Sequence, residues 1–276
     1  MPVRPVRTAL VTGASGAFGS ALVSALQDRR VRVVGLDRDA APGVLRCDVT
    51  DPTDAKAGVA AALEELGSLD AVVHCAGVGP ATDIGAEPGS DVRDALEVNL
   101  LGSWRVTSAA LPALTQGLGR GRVVLVSSLL AHVTVPFAGA YCVSKRAVVG
   151  YADALRIEYG GQLAVTSVLP GYVDTPIHAR SRAAGVALDG LVPAETVTDV
   201  VRTIVRVLGA SKPPRETATT PTGQVVRVLA RHAPGLVDKA VVARSTRHLL
   251  AGGFAGSALG DAWRQRYAGR TEEVSR

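Results

Sequence analysis

Short apolar runs alternate with amphipathic stretches along most of the chain. Seven runs have the length and composition of strands, at residues 7–12, 31–36, 44–48, 69–75, 122–127, 164–169 and 216–220. Hydrophobic positions at helical spacing fall between them, at residues 17–29, 54–66, 91–118, 141–159 and 194–208. Because most of the strands are apolar throughout and alternate with helices, the pattern predicts an α/β fold. We expect a doubly wound parallel sheet of about seven strands with helices on both faces.

Residues 223–276 lie beyond this alternating pattern and follow a polar, proline-marked segment. Apolar residues at helical spacing suggest amphipathic helices with arginines on the other face; they are Val225, Val226, Val228 and Leu229, followed by Leu236, Val237, Val241 and Val242. We therefore divide the chain into a folded domain at residues 1–222 and a helical C-terminal extension at residues 223–276.

The composition is that of a globular protein, with 47% hydrophobic and 20% charged residues, which excludes a disordered chain. The net charge of +5 is uneven, because residues 210–276 hold 11 Lys and Arg against 5 Asp and Glu. A solvated basic face explains this excess better than a nucleic-acid site does, since residues 1–209 carry no such excess. We therefore expect no nucleic-acid partner, and peripheral contact of the basic extension with a membrane is the least favoured of its roles.

Three cysteines, Cys47, Cys75 and Cys142, are too few and too scattered for a disulfide framework or a cysteine-based metal site. We therefore expect no metal. The uncharged stretch at residues 123–144 contains Pro136 and several polar residues, so it does not have the pattern of a membrane span. With no leader-like segment at the N-terminus either, these features predict a cytoplasmic protein.

A glycine-rich turn joins the first predicted strand to the first predicted helix and reads TGASGAFG at residues 12–19. Gly13 permits the tight turn, and Gly19 permits close packing of the helix against the sheet. Backbone N–H groups at the helix N-terminus are then free to hold a pyrophosphate. We predict that Gly13, Ser15, Phe18 and Gly19 bind this part of a dinucleotide.

Asp37 and Arg38 end the second predicted strand. An acidic residue about twenty positions beyond the glycines can accept hydrogen bonds from a ribose 2′-OH, and it would repel a 2′-phosphate. Arg38 favours the opposite cofactor, because a guanidinium can hold that phosphate. We give Asp37 more weight and expect NAD(H), with NADP(H) as the alternative.

Ser128 directly follows the fifth predicted strand, and Tyr141 and Lys145 stand four residues apart on the next helix. Positions four apart share a helix face, so both side chains can point into one cleft. A phenol with an ordinary pKa of about 10 is a poor acid or base at neutral pH. A nearby ammonium and an oxidised nicotinamide both lower that pKa. We predict that Tyr141 is the general acid or base, that Lys145 lowers its pKa and that Ser128 holds the substrate oxygen.

With these motifs in this order, the chain resembles the short-chain dehydrogenase/reductase family over about residues 5–220. The glycine turn fits the family's TGxxxGxG, with Ala17 at the middle glycine. Gly16 stands where many NADP-preferring members have a basic residue, which again favours NAD. The resemblance implies a Rossmann-like fold and hydride transfer between a nicotinamide and a secondary alcohol or ketone.

Further segments match the family's pattern. Asn99 is similar to the helix asparagine that completes an Asn-Ser-Tyr-Lys tetrad and holds a water in a proton relay. Cys75 departs from the family's NNAG, in which an asparagine steadies the central sheet. The resemblance adds as cofactor-binding residues Asp48, Val49, Cys75, Ala76, Gly77, Tyr141, Lys145, Pro170, Gly171, Val173 and Thr175. Among these, it implies that Asp48 and Val49 contact the adenine and that Val173 and Thr175 bind the nicotinamide carboxamide.

The substrate side is predicted from two apolar segments. One follows Ser128 and contains Leu129, Leu130, Val133, Val135 and Phe137, and the other, residues 177–193, falls where the family has its mobile lid. Both favour a lipophilic substrate that is steroid-like, fatty or polyketide-like. His178, Arg180 and Arg182 fit a solvated lid face better than a site for an anionic substrate group. We expect the extension at residues 223–276 to cover this cleft, with a subunit interface as its second role.

The resemblance also implies a homodimer or a homotetramer. Two interpretations compete with an NAD(H)-dependent dehydrogenase. One is an NADP(H)-dependent ketoreductase, and the other is a non-catalytic, dinucleotide-sensing regulator. A sugar-nucleotide epimerase or dehydratase is a weaker interpretation, because that relative usually has a tighter TGxxGxxG and a larger C-terminal domain. The complete set of Ser128, Tyr141 and Lys145 argues against the regulator, because a sensor needs no proton donor.

Overall fold

The computed structural model of the chain describes residues 2–39, 41–116, 119–186, 193–252, 254 and 256–274. Within these ranges the strands are β1 (Thr8–Thr12), β2 (Arg32–Asp37), β3 (Val44–Arg46), β4 (Ala71–His74), β5 (Gly121–Val126), β6 (Leu163–Leu169) and β7 (Glu216–Ala218). They form one sheet in the order β3-β2-β1-β4-β5-β6-β7, and every neighbouring pair is parallel. The predicted doubly wound sheet is confirmed.

Helices cover both faces of this sheet. They are α1 (Ala17–Gln27), α2 (Pro52–Leu66), α3 (Ser90–Leu96), α4 (Ser103–Thr115), α5 (Gly139–Tyr159), α6 (Ala179–Ala183), α7 (Val197–Gly209), α8 (Pro221–His232), α9 (Pro234–Leu250) and α10 (Ala258–Val274). Leu10 and Val72 point to the layer of α2, α4 and α5, whereas Val11 and Val73 point to the layer of α1 and α7. Successive strand residues face opposite sides, so a strand buried on both faces is apolar throughout.

Local signals set the ends of α2. The Asp51 carboxylate accepts hydrogen bonds from the backbone N–H groups of Thr53 and Asp54, at 2.7 and 3.0 Å. Pro52 occupies the first turn, where its missing N–H has no partner to lose. Gly67 ends the helix with a φ of +69°, in the left-handed region that a glycine adopts without strain. The Asp51 side chain thus caps α2, which begins two residues before the predicted start at residue 54.

The helical region predicted at residues 91–118 is confirmed for Ser90–Thr115, but it is not one regular α-helix. The chain forms α3, then one π-helical turn at Glu97–Gly102, and then α4. A β-carbon on Gly102 would lie 2.7 Å from Cγ2 of Val49, so the backbone passes close to the loop after β3 at this turn. Such wide turns frequently lie at functional sites, and this one contains Asn99. Residues 117 and 118, the end of the predicted helix, lie outside the described ranges.

The C-terminal extension is helical where the structure describes it, since it consists of α8, α9 and α10. Its predicted start at residue 223 falls in the first turn of α8, which begins at Pro221. No helix within the described ranges combines the length and the hydropathy that crossing a bilayer requires.

Candidate active site

Two clefts lie at the carboxyl ends of the strands, as expected for a doubly wound sheet. The loops after β1, β2 and β4 line the first cleft, of about 1720 Å³. The loops after β5 and β6 line the second, of about 680 Å³. The two clefts adjoin, because they share the lining residues Phe18, Cys75, Gly77, Thr175 and Ile177.

All the predicted cofactor-binding residues lie along these clefts. The first cleft is lined by Gly13, Ser15, Phe18, Gly19, Asp37, Arg38, Asp48, Val49, Cys75, Ala76, Gly77 and Thr175. The second is lined by Ser128, Tyr141, Lys145, Pro170, Gly171 and Val173, as well as by shared residues. The fold therefore brings residues from distant parts of the sequence to one edge of the sheet.

The glycine turn leaves the N-terminus of α1 open. A β-carbon on Gly13 would lie 2.5 Å from the Ala76 nitrogen, and one on Gly19 would lie 2.0 Å from the Gly13 carbonyl oxygen. Gly13 also has a φ of +67°, which a residue with a side chain rarely adopts. No side chain caps α1, and its first turn has no acidic residue. Its free N–H groups and partial positive charge therefore fit a pyrophosphate.

Asp37 is held in place at the adenosine end of the first cleft. Its Oδ2 accepts a hydrogen bond from the Ser15 backbone N–H at 2.9 Å, and its Oδ1 accepts one from Asp39 at 3.0 Å. A carboxylate has about four acceptor sites, so the two oxygens keep capacity for ribose hydroxyls. Arg38 lies 3.7 Å from the Asp39 carboxylate, and both of these side chains are largely exposed. Backbone hydrogen bonds thus fix the orientation of the Asp37 carboxylate, whereas the Arg38 side chain is held only by an exposed ion pair.

Asp48 lies farther along the same cleft. The backbone N–H and the hydroxyl of Thr50 both donate to its Oδ1, at 2.9 and 2.7 Å. These hydrogen bonds lower the pKa of the Asp48 carboxyl below its ordinary value. Asp48 is therefore a fixed, ionised acceptor beside Val49.

Ser128, Tyr141 and Lys145 meet in the second cleft. The Ser128 Oγ accepts a hydrogen bond from the Leu130 backbone N–H at 3.1 Å and lies 3.4 Å from the Pro170 carbonyl oxygen. Lys145 stands one turn after Tyr141 on α5, with its Nζ 5.6 Å from the centre of the phenol ring. The same ammonium donates to the Val126 carbonyl oxygen at 2.9 Å. The end of β5 thus fixes both Ser128 and the lysine.

Burial controls the pKa values of these groups. It raises the pKa of the Tyr141 phenol to about 12, although a hydrogen bond with Ser128 opposes the shift. It lowers the pKa of the Lys145 ammonium to about 8. The sequence prediction of a lowered phenol pKa invoked both the Lys145 ammonium and an oxidised nicotinamide. In the chain by itself burial is the largest effect and raises the pKa, and the combined effect of lysine and nicotinamide stays a prediction. At neutral pH Tyr141 is a protonated phenol, which is the form that donates a proton.

Asn99 is buried and lines neither cleft within the described part of the chain. Its Oδ1 accepts from the Val78 backbone N–H at 2.9 Å, and its Nδ2 donates to the Val78 carbonyl oxygen and to Ser144 Oγ, at 3.0 and 2.8 Å. These bonds tie the loop after β4 to α5. A β-carbon on Gly77 would lie 3.1 Å from the Asn99 Oδ1 and 3.3 Å from the Lys145 Nζ. Asn99 therefore lies directly behind the lysine, and its role in a proton relay stays a prediction.

The structure places two further side chains in the second cleft: Tyr172, which sequence reasoning did not single out, and His178, which it placed on a solvated lid face. Tyr172 and His178 stack with ring centres 4.7 Å apart, and both line the second cleft. Tyr172 lies within the PGYVDTP segment, which was the available signal, but only the fold stacks it on His178. The lid arginines pair with carboxylates, Arg180 with Asp94 at 3.1 Å and Arg182 with Asp174 at 2.6 Å. Lid residues 187–192 lie outside the described residues.

The C-terminal extension packs beside the second cleft. Leu249, Phe254 and Trp263 are buried in an apolar cluster, which we call the cap cluster. From the folded domain the cluster takes Leu130, Val135, Phe137, Ala138, Tyr141, Cys142, Tyr172 and Val186. Phe137 contacts Phe254 and Trp263 edge to face, with ring centres 5.1 Å apart in each pair. Side chains that line the cleft are thus supported from behind by the extension.

Two polar contacts join the extension to the loops around this cleft. The Ser257 hydroxyl donates to the Ala184 carbonyl oxygen at 2.8 Å, and Arg266 pairs with Asp83.

In the described part of the chain, no group of three or more His, Cys, Asp or Glu is arranged to hold a metal ion.

The known proteins that this chain resembles are dehydrogenases and other oxidoreductases. The model of the family described as short chain dehydrogenase matches residues 7–185. L-fucose dehydrogenase from Bos taurus is 30% identical over 227 residues, which cover 77% of this chain and 80% of the relative. Oxidoreductase UcpA from Salmonella typhimurium is 32% identical over 190 residues, or 62% of this chain and 71% of the relative.

Solved structures show the same fold at lower identity. A short-chain dehydrogenase from Streptomyces avermitilis superimposes with a TM-score of 0.71 at 24% identity, over 87% of this chain and 99% of that one. Ligand-free aldohexose dehydrogenase from Thermoplasma acidophilum gives a TM-score of 0.67 at 22% identity, over 78% and 93%. Family match and fold agree, and we conclude that the chain belongs to the short-chain dehydrogenases, oxidoreductases that act on CH–OH groups with NAD or NADP.

Proposed function

We propose that this chain is an NAD(H)-dependent dehydrogenase that interconverts a lipophilic secondary alcohol and its ketone. The observation that carries the proposal is the position of Ser128, Tyr141 and Lys145. They line an apolar pocket that adjoins the cleft at the glycine turn, whose residues fit a dinucleotide. A bound nicotinamide would supply or accept the hydride, and the chain would supply orientation and the proton.

In this proposal Tyr141 gives the proton of its hydroxyl to the ketone oxygen, or takes it back from the alcohol. Ser128 holds the same substrate oxygen, because its hydroxyl already shares a hydrogen bond with the phenol. The Lys145 ammonium lies beside the ring and binds the nicotinamide ribose. Asn99 positions Lys145 through the loop after β4, and a water held near it would exchange the proton with solvent.

The orientation of Asp37 supports NAD(H) over NADP(H). Replacing it with serine removes the charge that repels a 2′-phosphate, while the hydroxyl can still accept from the Ser15 N–H. We expect Asp37→Ser to change the ratio of kcat/KM for NADPH over NADH by about tenfold or more toward NADPH, since unfavourable like-charge contacts cost several kcal/mol.

Asp28→Ser is the control, because Asp28 is an exposed acid at the end of α1 that lines neither cleft. It should leave the cofactor preference within about twofold of wild type. A clear NADPH preference of the wild-type chain would show that Arg38, and not Asp37, decides the cofactor.

The pocket walls support a lipophilic substrate. Leu129, Leu130, Val135 and Ile177 line the cleft around the reacting group, and such walls bind apolar surface. The names of the relatives do not decide the class, since L-fucose dehydrogenase and 11-beta-hydroxysteroid dehydrogenase-like 2 from Arabidopsis thaliana both match.

The experiment for this proposal is NADH and NADPH oxidation over a panel of steroid, fatty, aromatic and sugar ketones. Turnover of the apolar ketones supports the proposal, and turnover confined to sugars contradicts the lipophilic substrate. If NADH binds in calorimetry but no panel member is reduced, the alternative of a dinucleotide-sensing regulator is favoured.

We propose further that residues 223–276 cover the substrate side as a cap. Trp263 is buried against Phe137, which belongs to the same cluster as Leu130 and Val135 of the pocket wall. We expect Trp263→Ala to raise KM for the best ketone by about tenfold or more, because truncating a buried aromatic residue loosens its neighbours. The dissociation constant of NADH should stay within about twofold, since the first cleft lies away from the cap cluster.

Leu236→Ala is the control for the cap, because Leu236 belongs to the same extension but faces solvent. The chain has two tryptophans, so a Trp104→Phe background leaves Trp263 as the single fluorescent tryptophan. Acrylamide quenching of that tryptophan should be weak in the free chain. Strong quenching, or an unchanged KM in Trp263→Ala, would contradict a closed cap.

We also propose a homodimer or homotetramer. Trp104 of α4 and Val143 of α5 are half-exposed, at 50% and 55%, on helices that pack on one face of the sheet. Exposed apolar side chains of this size are typical of subunit contacts. Light scattering of the full chain measures the mass of the assembly, and a monomer would contradict the proposal.

A further inference from the structure

The helix α8 is oriented with its apolar side toward solvent. Val225, Val228 and Leu229 are 58%, 43% and 42% exposed and follow one another at helical spacing. On the opposite side, Arg227 faces inward and lies 3.8 Å from the buried Glu216 carboxylate. A helix at the surface of a globular domain ordinarily has the reverse arrangement, so this apolar face requires a partner.

The next helix extends the exposed face and adds positive charge. Leu236 of α9 is 62% exposed and Val242 is 42% exposed. The exposed cations of the two helices are Arg231, Lys239, Arg244 and Arg247, and the exposed acid among them is Asp238. Leu236, Lys239, Ala243 and Arg247 share one face of α9, because they recur at three- and four-residue spacing. We call the exposed residues of α8 and α9 the basic-apolar surface.

We propose that the basic-apolar surface docks on an anionic lipid bilayer. Aliphatic side chains flanked by Lys and Arg on short helices match the interface of such a bilayer, where the apolar groups enter the acyl boundary and the cations meet the headgroups. From the sequence, membrane contact was the least favoured role of the extension. The structure favours it more strongly, because the sequence could not show which side of α8 faces solvent.

The charge pattern argues against the other occupants. A second copy of the chain would bring four exposed cations against four, with one acid on each side to offset them, and like charges across an interface are unfavourable. Nucleic acid would use the cations, but it offers nothing to the exposed valines and leucines.

The surface is connected to the substrate side of the fold. Near the start of α8, a β-carbon on Gly223 would lie 3.2 Å from Leu129 Cδ1, and Leu129 lines the substrate cleft. At the end of α9, Leu249 packs in the cap cluster with Leu130. If the proposed lipophilic substrate is correct, docking places the cleft beside the phase in which that substrate dissolves. Bilayer binding itself does not depend on that function.

The test is sedimentation of the full-length chain with phosphatidylcholine vesicles, with and without phosphatidylglycerol. We expect binding to the anionic vesicles only, and a strong loss when NaCl rises from about 0.05 to about 0.5 M, because the Debye length shortens. Val225→Ser with Leu229→Ser should weaken binding more than about tenfold, since the two aliphatic groups no longer enter the bilayer. Arg244→Gln with Arg247→Gln should weaken it by a similar factor.

Matched controls separate the proposal from general stickiness. Ile84→Ser removes an aliphatic side chain that is 74% exposed elsewhere, and Lys56→Gln removes an exposed cation of α2. Both should bind vesicles as wild type does. Equal binding to neutral vesicles, or loss in the controls, overturns the proposal. If the α8 variant instead lowers the assembly mass in light scattering, the surface joins copies of the chain, which also overturns it.

Discussion

Tyr141→Phe should lower kcat for ketone reduction by about 10²- to 10⁴-fold, the range that a positioned general acid contributes. The substitution removes one oxygen and leaves the ring in the cap cluster, so folding and NADH binding should persist. The measurement is steady-state NADH oxidation with the best ketone of the panel, together with calorimetry of NADH binding.

Tyr151→Phe is the matched control on the same helix. Tyr151 is also buried, burial also raises its pKa to about 12, and its hydroxyl bonds to Thr107 and not to Ser128. Tyr151→Phe should keep kcat within about threefold of wild type. Its free energy of unfolding should fall by about 1 kcal/mol, because the hydrogen bond is lost. Equal losses in both variants would mean that the phenols act structurally, and Tyr141 would not be the proton donor.

The two directions of the reaction should respond differently to pH. Because burial raises the pKa of Tyr141 to about 12, the phenol keeps its proton through the neutral range, as ketone reduction requires. Alcohol oxidation requires the phenolate, whose fraction grows with pH up to the pKa. The wild-type rate of oxidation should therefore rise with pH, whereas the rate of reduction should stay level through the neutral range and fall only as the pH approaches about 12. This dependence should be absent from the residual activity of Tyr141→Phe.

Gly19→Ala should abolish NADH binding and lower the melting temperature. The new β-carbon would lie 2.0 Å from the Gly13 carbonyl oxygen and 2.7 Å from the Ala14 Cα. Both contacts are with backbone, so relief requires α1 to move away from the glycine turn. We expect NADH affinity to fall by about 100-fold or more, because the N–H groups that hold the pyrophosphate move with the helix.

Gly16→Ala provides the comparison within the same turn. The nearest atom to a β-carbon on Gly16 is the Gly13 carbonyl oxygen at 3.2 Å, and small shifts accommodate it. Calorimetry of NADH binding and thermal melting should show an effect at least about tenfold smaller than that of Gly19→Ala. Similar losses in both variants would show that any side chain in the turn weakens NADH binding, and the close contact at Gly19 would not be the cause.

Much of this site could be predicted from the sequence because its signals are local. Buried parallel strands are apolar throughout, so hydrophobic runs gave the strands and their order along the chain. A turn with glycines at two fixed positions, and a tyrosine and lysine one turn apart, each restrict local geometry to a few forms.

Other features depend on contacts between distant segments, and no local pattern reports them. The π-helical turn at Glu97–Gly102 keeps the hydrophobic periodicity of a longer helix, so the sequence predicted one helical region there. Burial raises the pKa of the Tyr141 phenol in the chain by itself, and the sequence, which showed the nearby Lys145, could not show that burial. The stacking of Tyr172 on His178 likewise requires the β6 loop to fold back on itself.

The sequence by itself determined the doubly wound sheet, the glycine turn and the Ser128, Tyr141 and Lys145 set, because periodicity and short spacing encode them. Only the tertiary structure decided how buried the phenol is, that Asn99 lies behind the cleft, and which face of α8 meets solvent. Those properties depend on which distant side chains exclude water from a group. Burial and electrostatic interactions depend on distances in space, and the separation of two residues along the sequence does not give those distances.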